Sequence, residues 1–217
     1  MDRLKIGVLG TGDVGRALGG GFVARGHQVM MGSRDPGSEK VTGWIAKAGT
    51  GASGGSFADA AKFGDVVVLA ILWSGIGNAI ELAGPENLAG KVVIDTTNPL
   101  DFSGGMPPRL AVGHSDSAGE QVQRWLPKAR VVKCFNVVGN AHMVAPSFPT
   151  GKPDMFICGN DDAAKKTVSD LCAELGWPTI DIGGIEGARY LEPLAMIWIS
   201  YLVKHGTANH ALALLRK

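Results

Sequence analysis

The chain has 217 residues, 45% of them hydrophobic, and a formal net charge of +1. That is enough to bury one large core, or one core with a small appendage, and too balanced a charge to draw the chain to nucleic acid or an anionic membrane. Residues 191–203, the most apolar stretch, fall short of the ~20 residues of a membrane span and contain Glu192 and Pro193, so a cytoplasmic protein without a membrane or nucleic-acid partner is expected.

The first elements in chain order are the most specific. Residues 4–9 read as a buried strand and residues 14–25 as a helix stopped by Gly26, with Gly10-Thr11-Gly12-Asp13-Val14-Gly15 between them. Each glycine has its own reason. Gly10 allows the sharp turn out of the strand, Gly12 lets backbone N–H groups approach an anion without a Cβ in the way, and Gly15 lets the helix lie close on the sheet. The helix N-terminus then offers unpaired N–H groups and a positive dipole end to a pyrophosphate. A dinucleotide site is expected, although 32 glycines make such a motif weak outside its strand–turn–helix context.

Residues 27–32 form the second strand, which exits through Ser33-Arg34-Asp35-Pro36-Gly37. Arg34 can pair bidentately with a 2′-phosphate and stack on adenine, and Ser33 can donate to the same phosphate, so NADP(H) is favoured over NAD. The competing reading is a polar turn in which Asp35 holds the ribose. Lys40, in the next helix, is a second and weaker cation for the phosphate.

Further along, strand and helix signals alternate, as a parallel sheet with crossover helices requires. Strands are expected at 65–72, 91–95 and 130–135, with helices at 76–83 and 117–126 and a loop at 104–108. The Pro-rich stretch 145–153 marks a link, so the expected organisation is a Rossmann-type doubly wound parallel α/β sheet over residues 1–144 with a small C-terminal α/β extension over 145–217. The extension carries strands at 155–159 and 179–182, a helix at 162–175 and a terminal helical region over 188–215. No repeat or low-complexity tract interrupts this pattern. Cys134, Cys158 and Cys172, without a C-x-x-C spacing, are read as reduced core thiols, and no metal site is expected.

In open α/β sheets the ligand lies across the carboxyl ends of the strands, where this chain is short of acids and bases. There is no Tyr-x-x-x-Lys pair, since Leu194 follows Tyr190 by four and His205 follows Tyr201. Of the five histidines, His142 alone follows a strand exit at the expected site, and a solvated loop histidine is its default reading. Arg189 is read as an anion receptor or, in preference, as the ion-pair partner of Glu186 or Glu192. No catalytic residue is assigned. Reduction of a ketone needs a general acid, whereas passing a hydride between two redox cofactors needs mainly the alignment of two rings.

Together, Gly10-x-Gly12-x-x-Gly15, Gly32-Ser33-Arg34-Asp35-Pro36, Trp73, Asp95-x-x-Asn98-Pro99-Leu100, Val132-Lys133-Cys134-Phe135-Asn136 and the tail Gly187 to Leu194 resemble the NADP-dependent coenzyme F-420 (deazaflavin) oxidoreductase family and its dinucleotide-binding reductase branch. The resemblance runs over essentially the whole chain. It implies NADP(H) as cofactor, hydride exchange with a deazaflavin, and a C-terminal unit that closes the site and a homodimer. It places Thr11, Gly12, Asp13 and Val14 at the pyrophosphate, Ser33, Arg34 and Lys40 at the 2′-phosphate, and Ile71, Leu72 and Trp73 beside the nucleotide. Asn98 and Pro99 would flank the nicotinamide ribose, and Asn136, Val137 and Val138 the ring. Two departures matter: Leu72 stands where deazaflavin-specific members have proline, and the Asn-Pro-Leu and Lys-x-Phe-Asn signatures belong to the other branch. A reductase of another acceptor (flavin, quinone or imine) and a non-catalytic redox sensor are the alternatives.

Overall fold

The computed structural model describes residues 3–215. Along the chain run β1 (Lys5–Leu9), α1 (Asp13–Ala24), β2 (Gln28–Gly32), α2 (Glu39–Ala48), β3 (Ala52–Gly55), α3 (Phe57–Phe63), β4 (Val66–Leu69), α4 (Trp73–Ala83), β5 (Val92–Asp95), a hairpin of β6 (Leu100–Asp101) and β7 (Arg109–Leu110), α5 (Ala118–Trp125), β8 (Arg130–Lys133), β9 (Met155–Gly159), α6 (Asp162–Glu174), β10 (Thr179–Asp181) and α7 (Ala188–His205). Eight strands form one sheet in the order β10-β9-β8-β5-β4-β1-β2-β3. The chain reverses direction of winding between β1 and β4, the switch at which doubly wound sheets open a crevice.

Burial on both faces explains the apolar strands. In β4, Val66 and Val68 join the cluster containing Phe22 and Trp44, while Val67 and Leu69 join that of Ile76 and Leu88 on the opposite face. The sheet is parallel except at β8 and β9, where Val132 pairs antiparallel with Gly159. Through that pairing the segment after residue 145 contributes β9 and β10 to the same sheet.

Several elements differ from expectation for local reasons. β4 stops at Leu69, and α4 begins at Trp73, one turn earlier than the apolar spacing suggests. The loop at 104–108 is the tip of the β6–β7 hairpin, in which Leu100 faces Leu110. The short helix α3, not foreseen, is fixed by a capping box between Ser56 and Asp59. α7 ends at His205 because Gly206 adopts the left-handed conformation (φ 66°). Residues 207–215 then run back without regular structure, with the Trp198 indole N–H donating to the His210 carbonyl and Leu214 N–H to the Asp154 carboxylate. No described helix is long and apolar enough to cross a membrane.

Candidate functional site

The glycine loop between β1 and α1 separates three physical requirements. Gly10 has φ of 120°, and a Cβ there would lie 2.2 Å from the carbonyl oxygen of Ala70, just past the end of β4. At Gly15 a Cβ would come 2.2 Å from the Gly10 carbonyl oxygen, so both positions are closed by the protein itself. Gly12 differs. It is exposed, caps α1 with extended backbone (φ −71°, ψ 179°), and a Cβ would meet nothing within 4 Å. Space above Gly12 is therefore left for something other than protein, next to the unpaired N–H groups of the first turn of α1.

A cavity of about 450 Å³ opens over this loop and is walled by Thr11, Ser33, Arg34, Ile71 and Leu72 together with Phe57, Ser74 and Asn78. Two backbone bonds hold its floor: Gly10 N–H donates to Gly32 O (3.1 Å) and Ser33 N–H to Gly55 O (3.0 Å). The Ser33 hydroxyl oxygen accepts from Asp35 N–H at 3.1 Å, which leaves its proton free to donate outward. Arg34 is exposed and, among the described residues, has no ion-pair partner. An uncommitted guanidinium beside a hydroxyl suits a phosphate. Phe57, Ser74 and Asn78 were not foreseen; Ser74 and Asn78 stand four residues apart on α4, a spacing that puts both on one helix face.

The strand exits of β5 and β8 make a second, tighter cluster. Asn98 Nδ2 donates to the Asn136 carbonyl (2.7 Å), and Asn136 Nδ2 donates to Asn98 Oδ1 (3.0 Å) and to the Leu191 carbonyl in α7 (2.9 Å). Phe135, with φ of 61°, turns the chain sharply between β8 and Asn136. Val138 packs into the core, whereas Val137 stays half-buried. Behind the amides, Lys133 Nζ lies 2.7 Å from Asp95 Oδ2 and 3.0 Å from Glu192 Oε1, with all three side chains sealed from solvent. Burial pulls the Lys133 ammonium down, but the two carboxylates outweigh it and hold it above the ordinary lysine range. Burial pushes Glu192 up, against the pull of Lys133 and the amides of Ala118 and Gly119. Lys133 stays charged, and the ion triad is a closed unit.

Other expected residues lie elsewhere. Lys40 and Asp13 line a separate groove between α1 and α2, where Asp13 pairs with Arg16. The Trp73 ring stacks on Trp125 (centroids 5.7 Å apart, 19° between planes) instead of lining the cavity. His142 packs on Phe148 and bonds Asn209 Oδ1 at 3.1 Å. Arg189 pairs with Glu120 of α5, which corrects the expectation of Glu186 or Glu192. All three cysteine thiols are free and buried.

Residues 5–99 match the family model described as NADP oxidoreductase, coenzyme F420-dependent. Over 212 residues the chain is 32% identical to the F420-dependent NADP reductase of Methanocaldococcus jannaschii, covering 93% of this chain and 94% of that protein. The chain belongs to this family of NADP-dependent oxidoreductases. A crystal structure of a proposed F420-dependent NADP reductase from Arthrobacter sp. FB24 superimposes on this family member with a TM-score of 0.92 at 40% identity, over 98% of this chain and 100% of the other. Rat metalloreductase STEAP3 is 29% identical over 192 residues, which are 88% of this chain but 36% of that longer protein.

Proposed function

We propose that the protein binds NADP(H) across the switch point and exchanges a hydride with a planar deazaflavin of the coenzyme F-420 type. The pyrophosphate rests on Gly10 to Gly15, with Asp13 and Val14 at the helix start. Ser33 and Arg34 grip the 2′-phosphate, and Lys40, in the neighbouring groove between α1 and α2, adds a more distant positive charge. Ile71 and Leu72 border the nucleotide, with Trp73 behind them at the start of α4, its ring on Trp125. Asn98 and Pro99 flank the nicotinamide ribose, and Asn136, Val137 and Val138 form the ring wall. NADP(H) supplies the hydride; the chain supplies position. This reading also takes residues 145–217 as the part that closes the site, the exposed apolar face of α7 (Tyr190, Ile197 and Tyr201) as a homodimer contact, and the cytoplasm as the place of work.

The observation that carries the choice of acceptor is the make-up of the ring end. Its side chains are amides and apolar groups, and its one ammonium, Lys133, spends its donors on Asp95, Glu192 and the Thr97 carbonyl behind them. Such a wall orients two rings but offers no proton to an alkoxide, so a conjugated ring that stabilises its own charge is the fitting acceptor. A second reading, transfer to an acceptor other than a deazaflavin, is favoured by the likeness to a protein named a metalloreductase. Mixing the protein with NADP and reduced deazaflavin and following absorbance tests the first reading. Rapid oxidation is expected. Background oxidation with tight NADPH binding would refute it and turn the question to the second.

A further inference from the structure

Three segments distant in sequence meet at Lys133. Its ammonium reaches Asp95 at the end of β5, Glu192 in the first turns of α7 and, at 2.8 Å, the Thr97 carbonyl. Asp95 Oδ1 in turn accepts from Thr97 N–H at 2.9 Å, so the amide and the carbonyl of this one residue are held by the two partners of an ion pair. Asn98 comes next in the chain. Glu192 also accepts from Ala118 N–H (2.9 Å) and Gly119 N–H (3.0 Å), satisfying the first turn of α5, while Asn136 holds the adjacent Leu191 carbonyl. α7 is thus fastened at two consecutive residues to the strand exits that carry the amide pair.

Stability alone is a poor reason for such a network, because apolar residues of similar volume serve a core as well or better than sealed charges. What charges do better is fix a geometry, since each has a small number of acceptable arrangements. We propose that Lys133, with Asp95 and Glu192, is a positioning residue for the ring half of the dinucleotide: it holds Thr97 and the start of α7 so that the Asn98–Asn136 amide pair stays assembled. The inference rests on the reading above that the nicotinamide half lies at the exits of β5 and β8. The adenosine half, placed over β1, β2 and β4, does not touch this network.

The two halves can be measured apart. Calorimetry with 2′,5′-ADP, the adenosine half alone, and with NADP compares wild type with the variant Asp95→Asn/Lys133→Met/Glu192→Gln, which leaves no buried charge unpaired. The variant is expected to hold 2′,5′-ADP with a Kd within about twofold of wild type and to bind NADP about tenfold more weakly. Equal losses for both ligands would reduce the network to a structural role, and unchanged binding of both would remove any role; either result overturns the proposal. If near-ultraviolet circular dichroism shows that the triple variant does not fold, the same comparison on Glu192→Gln decides, with the same split in smaller measure. Failure of wild type to bind either ligand would bring down the nucleotide reading first, and this inference with it.

Discussion

The two ends of the candidate site are built on opposite plans. The end proposed for the adenosine half, over β1, β2 and β4, is open and made largely of backbone, with a bare Gly12 and an Arg34 that has no ion-pair partner among the described residues. At the end proposed for the ring, over β5 and β8, amides bond amides, Asn136 Oδ1 is left buried without a hydrogen-bond partner, and a sealed ion triad stands behind them. Affinity is cheap to build from exposed donors that wait for an anion, whereas orientation requires side chains already locked before the ligand arrives.

The largest effect separates binding from folding at the open end. Gly12→Val fills ligand space, yet its backbone is extended and its surroundings are empty, so valine fits the protein. Nucleotide titration should be lost for NADPH and NADH alike while the melting temperature stays within a few degrees. Gly15→Val is the contrasting case, because its Cβ collides with Gly10 O, and it should fail as a folding variant first. A Gly12→Val protein that binds as wild type would dismiss the loop assignment.

At the closed end the same comparison reverses. Lys133→Met leaves Asp95 and Glu192 buried without a counter-charge, and removing one partner of such a network costs about 3–5 kcal/mol. Denaturant unfolding should record that loss directly. A change under 1 kcal/mol, on the order of a surface pair, would mean that the triad is wetter or looser than its geometry indicates.

Arg34→Ala returns to the open end with a smaller effect. Loss of a charge-assisted phosphate contact should weaken NADPH by about 1.5–3 kcal/mol and leave NADH nearly untouched. Equal weakening of both coenzymes would place the guanidinium on a group that they share and reopen Asp35 as the ribose ligand.

The geometry of the open end is also the part that the local sequence carries. Gly10, Gly12 and Gly15 are fixed by the strand–turn–helix geometry and Ser33 and Arg34 by the exit of β2, so their order along the chain carries their placement. The apolar runs of β1, β4 and β5 are long because both faces are buried. α3 was missed because seven residues give too little periodicity, although Ser56 and Asp59 at capping-box spacing were there to be seen. The closed end depends on partners far apart in sequence. Asp95, Lys133 and Glu192 come from three elements, and nothing local tells a strand-end lysine that its counter-charge precedes Pro193 in another helix. Arg189 was assigned to near neighbours for the same reason, whereas Glu120 is 69 residues away. A lone charge in an otherwise apolar run was the available signal.

The smallest predicted effect uses acid to distinguish the plans, since carboxylates brace the closed end where α5 meets α7. The Arg189 guanidinium holds Glu120 below the ordinary carboxylate range, and the Arg124 hydrogen bond holds Asp116 down to about 2. Both groups ionise more readily folded than unfolded, so they add stability above their ordinary values, and that stability is lost as pH falls through the depressed ones. For Asp116 the window runs from 3.8 to about 2. Glu192 has the opposite sign: its raised value means that protonation favours the folded chain, so acidification toward the ordinary carboxylate range relieves it. Melting temperature should therefore fall more gently with acid in Glu120→Gln than in wild type. Glu192→Gln should remove the relief and leave the acid side steeper. Parallel profiles for all three proteins would show that the junction of α5 and α7 is not held by these charges, and that the contrast between the ends lies in packing alone.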